Sequence, residues 1–110
     1  MDIIKSSRDN LPVLQLKGRF DAHEVEAVRV WLLEQIVLEK TNIIINLAGV
    51  NFIDSTALST LVRGLKECRE KKGDLHLCDL QQPVRVIFEL TRLDKAFDIF
   101  ATEDEAAKGF

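Results

Sequence analysis

The stretch Val50-Asn51-Phe52-Ile53-Asp54-Ser55-Thr56-Ala57-Leu58-Ser59-Thr60-Leu61-Val62 joins two different patterns, and the chain on either side is arranged about that join. Upstream, Ile43-Ile44-Ile45-Asn46-Leu47 is a short β-branched run of the kind that forms a strand buried on both faces. Downstream, Leu58, Leu61, Val62 and Leu65 recur at helical spacing. Asp54, Ser55 or Thr56 supplies the N-cap of that helix. A hydroxyl side chain therefore stands at a helix N-terminus, where unpaired N–H groups and partial positive charge tolerate a phosphate. Capping alone explains a hydroxyl in this place, so the local pattern by itself identifies a helix start.

Working outward, this helix ends at Lys71-Lys72-Gly73, where two cations oppose the negative helix end and Gly73 is expected to supply the left-handed cap. Leu75 to Asp79 is the next strand. Pro83 opens a further helix, in which Val84, Ile87, Leu90 and Leu93 keep helical spacing. Phe97 to Phe100 is a last strand, and Thr102 with Glu105 has capping-box spacing for a short terminal helix. On the N-terminal side, Ile3-Ile4-Lys5 and Val13 to Gly18 are two strands joined by the polar turn Ser7 to Asn10, an antiparallel hairpin with Pro12 at the start of its second strand. Asp21 then caps a helix expected from about Ala22 to Glu39. Val25, Val28, Leu32 and Ile36 face its core side. Val30, Trp31, Leu33 and Val37 widen the apolar surface beyond one stripe, which reads first as a broadly buried helix.

Alternation of strand and helix after an initial hairpin defines an α/β fold with a mostly parallel central sheet, an antiparallel N-terminal edge strand and packed helices. A chain of 110 residues that is 46% hydrophobic forms one domain with one core, so 1–110 is expected to be a single unit. No apolar run approaches a membrane span and no basic-then-apolar leader opens the chain, so a cytoplasmic protein without membrane attachment is expected. The net charge of -3, with Lys and Arg spread along the chain, argues against direct nucleic-acid binding and favours protein partners. Cys68 and Cys78 match neither a zinc nor a redox spacing, and His23 and His76 have no acid or thiol cluster beside them in sequence. No metal or cofactor is therefore expected.

Phe52-Ile53-Asp54-Ser55-Thr56-Ala57-Leu58 resembles the Asp-Ser-Ser/Thr-Gly-Leu signature of STAS domains, the family of bacterial anti-sigma factor antagonists. Gly18-Arg19-Phe20-Asp21 is similar to that family's Gly-x-Leu-Asp after the second strand. Leu93 to Phe100, followed by Asp104 to Ala107, resembles its C-terminal stretch. The resemblance implies a STAS-like domain in which Ser55 is the phosphorylation site and Asp21, Asp54, Thr56, Ala57 and Ser59 lie on the partner-binding surface. It also implies the partners. The unphosphorylated domain binds an anti-sigma factor that is its serine kinase, which frees the sigma factor, and a serine phosphatase restores the binding form. A monomer or weak dimer is expected. Ala57 and Ser59 depart from the family, which usually has Gly at the first position and often at the second. Both remain small, while Ser59 and Thr60 add further hydroxyls.

Catalysis by the chain itself has little support. There is no Gly-x-Ser-x-Gly elbow, no Walker lysine loop and no Gly-x-Gly-x-x-Gly, and no histidine lies near Ser55 in sequence. The chain is therefore read as a binding module and not an enzyme. A STAS scaffold within a larger signalling complex is the alternative. A receiver-like reading of Asp54 as phosphoacceptor wants an acidic pair after the first strand to hold Mg²⁺, and Ile3-Ile4-Lys5-Ser6-Ser7 lacks one.

Overall fold

The computed structural model describes residues 1–110. In chain order the elements are β1 (Asp2–Arg8), β2 (Leu11–Phe20), α1 (Val25–Val37), β3 (Asn42–Ile53), α2 (Ser55–Glu70), β4 (Asp74–Cys78), α3 (Gln82–Leu90), a 3₁₀ turn (Leu93–Lys95), β5 (Asp98–Phe100) and α4 (Glu103–Lys108). The five strands form one sheet in the order β1-β2-β3-β4-β5. β1 runs antiparallel to β2, and the remaining neighbours are parallel. The expected mixed α/β architecture, with its antiparallel edge, is what the chain forms.

Sequential strand order with right-handed crossovers sends α1, α2 and α3 to the same face of the sheet. The core reflects this: Val28, Trp31 and Leu32 of α1, Leu58, Leu61 and Leu65 of α2, and Val84 and Phe88 of α3 share one apolar cluster with Ile43, Ile45 and Leu47 of β3. The opposite face is covered by α4, whose Ala106 packs with Val13, Ile44 and Cys78. β3 is thus covered on both sides, as its β-branched run requires. Its one buried polar side chain, Asn46, is satisfied twice: Oδ1 accepts from Ala48 N at 2.9 Å, and Nδ2 donates to Glu103 at 3.0 Å. Glu103 also takes the guanidinium of Arg8 at 2.7 Å, so the first turn of α4 is pinned to β3 and β1 together.

Several boundaries differ from expectation. α1 begins at Val25 with Glu24 as its N-cap residue, because Asp21 closes a tight turn instead: its carbonyl accepts from Glu24 N at 2.9 Å and its Oδ1 from His23 N at 3.0 Å. Val30, Leu33 and Val37 are exposed, so α1 is buried along one stripe only, through Val28, Trp31 and Leu32. Leu90, the last residue of α3, is 76% exposed. At the end of α2 the left-handed residue is Lys72 (φ 66°), not Gly73. Gly73 N donates to Cys68 O at 2.8 Å and Lys72 N to Arg69 O at 3.0 Å, the paired bonds of a Schellman closure. Gly73 is needed for a different reason, since a Cβ there would overlap the Thr41 carbonyl.

Candidate functional site

Asp54 organises the junction between β3 and α2. Its backbone is extended, and its Oδ1 accepts from Ala57 N at 2.9 Å, which settles the N-cap among the three candidates. Its Oδ2 accepts from Ala22 N at 2.9 Å, and its own N–H donates to Phe20 O at 3.3 Å. One carboxylate therefore ties the start of α2 to the loop after β2, bringing the Gly18–Asp21 segment beside the Asp-Ser-Thr segment. Asp21 lies in that loop with its Oδ2 3.7 Å from Arg19 Nε.

These bonds hold the Asp54 carboxyl below the usual carboxylate range. The Ala57 N–H is the largest cause; burial opposes it, while the Ala22 and Thr56 N–H groups and the charge of Arg19 assist. A depressed folded-state value means that the ionised cap stabilises the fold above the ordinary carboxylate range, and that this contribution fades as pH falls through the folded-state value. Asp54→Ala is expected to cost about 0.5–2 kcal/mol at neutral pH. In urea melts the gap between variant and wild type should narrow on acidification; a gap that stays constant down to strongly acidic pH would refute this role.

Ser55 is the first residue of α2 and is exposed, as is Thr56. Ser59 Oγ donates to Ser55 O at 2.9 Å and Thr60 Oγ1 to Thr56 O at 3.0 Å, so these two hydroxyls are engaged with the helix backbone. Ser59 is exposed and Thr60 half-buried. Ala57 is fully buried: its methyl belongs to the core and only its backbone serves the surface region, as the donor to Asp54. Beside this helix start a groove of about 300 Å³ runs between α1 and α2, lined among others by Arg29, Thr56, Ser59, Thr60 and Arg63.

Two neighbours escaped the sequence reading. The Arg19 guanidinium stacks over the ring of Phe52, 3.9 Å from its centroid, and Phe52 is 37% exposed. Each residue lies inside a quoted motif, but their contact depends on the parallel register that pairs Arg19 with Phe52. An exposed aromatic under a cation is the kind of surface protein interfaces favour. The thiols stay outside this region. Burial pushes Cys68 up to about 12 and raises Cys78 further, so neither supplies a thiolate near neutrality.

The fold and site together define a small α/β module that presents hydroxyls at a capped helix N-terminus. The chain belongs to the STAS domain family, whose model matches residues 2–106. It is 27% identical over 95 residues to the anti-sigma F factor antagonist of Paenibacillus polymyxa, covering 86% of this chain and 81% of that one. Among solved structures it superposes on an anti-sigma-factor antagonist (STAS) domain protein from Planctomyces limnophilus with a TM-score of 0.85 and 25% identity, over 96% of this chain and 95% of that one. The Bacillus cell fate determinant SpoIIAA in its phosphorylated form gives a TM-score of 0.77 at 25% identity, covering 97% of each chain.

Proposed function

We propose that this protein is an anti-sigma factor antagonist, a non-catalytic binding module switched by phosphorylation of Ser55. The observation that carries this reading is the placement of Ser55: an exposed hydroxyl at the first position of a helix whose Asp54 cap is already satisfied. A phosphate there meets the positive helix end without displacing the cap. Both Asp54 oxygens accept backbone N–H bonds, which favours a capping role over that of a phosphoacceptor. The names of the relatives support an anti-sigma factor as partner, and SpoIIAA has been solved phosphorylated.

In this mechanism the unphosphorylated surface around Ser55, Thr56, Ser59 and Asp21 docks on an anti-sigma factor that is also a serine kinase. Docking releases the sigma factor, transfer of phosphate to the Ser55 hydroxyl ends the complex, and a serine phosphatase resets it. Exposed Arg19 and Phe52 extend the docking surface. The test is intact mass with fragment mapping on protein recovered from its native cell, together with mixing of the purified chain with the anti-sigma kinase and ATP. A single phosphate on Ser55 and a complex that dissociates with it are expected. Binding to a large assembly with no modification of Ser55 would favour the scaffold reading instead.

A further inference from the structure

At the far end of β3 from Ser55, three side chains converge whose chemistry has no part in this switch. Asp74 and His76 stand two residues apart on β4 and so share a sheet face, and Asp98 of β5 is the register partner of His76. One ligand atom from each lies within 4.8 Å of the other two. His76 is 1% exposed, its ring held between Phe110 (centroids 3.7 Å apart, stacked) and Phe100 (4.8 Å). The expectation that His76 lacks acidic neighbours is corrected here: Asp74 lies two residues before it on β4, and strand pairing adds an aspartate from 22 positions away.

The hydrogen bonding assigns the tautomer. Nδ1 lies 2.8 Å from Ala106 O, and a carbonyl only accepts, so Nδ1 carries the hydrogen. In the neutral ring the lone pair is then on Nε2. That atom faces Asp74 Oδ2 at 3.5 Å and Asp98 Oδ2 at 3.8 Å, two further acceptors. Asp74 is held in this orientation through its other oxygen, which accepts from Leu75 N at 2.9 Å and Arg69 Nε at 3.2 Å. A lone pair aimed at two carboxylates calls for a cation between them. Metal–ligand bonds of 2.0–2.2 Å place tetrahedral ligand atoms about 3.3–3.6 Å apart. The Asp74–His76 pair already has that separation at 3.5 Å, and the exposed Asp98 carboxylate, 3.8 Å from Nε2 within a trio spanning up to 4.8 Å, would close in to complete the set.

We propose that Asp74, His76 and Asp98 form a binding site for one divalent transition-metal cation of the zinc class. A nitrogen ligand whose other N–H is held by a carbonyl is the usual supporting arrangement for such ions, and it disfavours Mg²⁺ and Ca²⁺. The Asp98 side chain is 61% exposed, so the ion enters from that side and water completes its shell. Bound there, it clamps the three-residue edge strand β5 to β4.

Calorimetric titration with Zn²⁺, and visible absorption with Co²⁺, test this on the full chain. Wild type should take up one ion and gain thermal stability. His23→Asn, which removes the chain's other imidazole, should leave uptake unchanged. Asp98→Asn, at an exposed position that the fold tolerates, should weaken binding by at least about ten- to a hundredfold. Absence of uptake by wild type, loss of uptake in His23→Asn, or undiminished affinity in Asp98→Asn would each overturn the proposal.

Discussion

Under the proposed function, Ser55→Asp is expected to weaken binding of the anti-sigma partner by on the order of a hundredfold or more, while thermal stability stays close to that of wild type. Two opposing terms decide this. At the first turn of α2 a negative charge is favoured by the helix end, by roughly 0.3–1 kcal/mol, so the fold is not weakened. At an interface formed around an uncharged hydroxyl, the same charge must be desolvated without a partner, at a cost of about 2–5 kcal/mol. At about 1.4 kcal/mol per decade of affinity, the interface term dominates. A phosphate, carrying about -1.5 to -2 charge, acts in the same sense and more strongly. Ser55→Ala should bind the kinase and accept no phosphate. Calorimetry and mass spectrometry check both; an unchanged affinity in Ser55→Asp, or phosphorylation of Ser55→Ala at the wild-type rate, would remove Ser55 from the switch.

Leu61→Ala should destabilise the protein by about 2–5 kcal/mol, since the side chain is fully buried in the main core and its loss leaves a cavity. Against a total of about 5–15 kcal/mol for a domain of this kind, that is a large share. Leu90→Ala is the control. Both leucines occupy helical-spacing positions in the sequence, yet Leu90 is 76% exposed and its truncation should change stability by no more than about 0.5 kcal/mol. Urea midpoints that moved equally for the two variants would show that the packing is not as described.

Those two leucines also show where sequence reading succeeds. Long periodic segments such as Ile43 to Leu65 carry enough apolar positions for their faces to be unambiguous, and the central sheet and α2 were legible from them. α3 has only nine residues, and its apolar spacing runs on past its end to Leu93, so the sequence pattern alone points Leu90 inward where the helix in fact stops. Asp21 had the residue type of a cap, but its side chain closed a turn upstream because Asp54 reached across to Ala22. Such a choice between two loops is a tertiary one. The hydroxyl-bearing helix start is legible because capping is local; the Arg19–Phe52 stack and the arrival of Asp98 beside Asp74 and His76 are not, because each is created by register between parallel strands.

β3 is longer than its neighbour β4: pairing between them ends at Asn46 and Cys78, while pairing with β2 continues to Ile53. Beyond Lys17, the last residue of β2 paired with β1, the two strands form a ribbon of their own, irregular in register around Gly18 (φ 106°), with Phe20, Val50 and Ile53 buried and Arg19, Asn51 and Phe52 exposed. Inherited change can therefore act on the two sets of positions separately. On the proposed docking surface, substitutions at the outward set would alter which partner is recognised at little cost to folding, so new partner pairs could diverge after duplication without first acquiring a more stable scaffold.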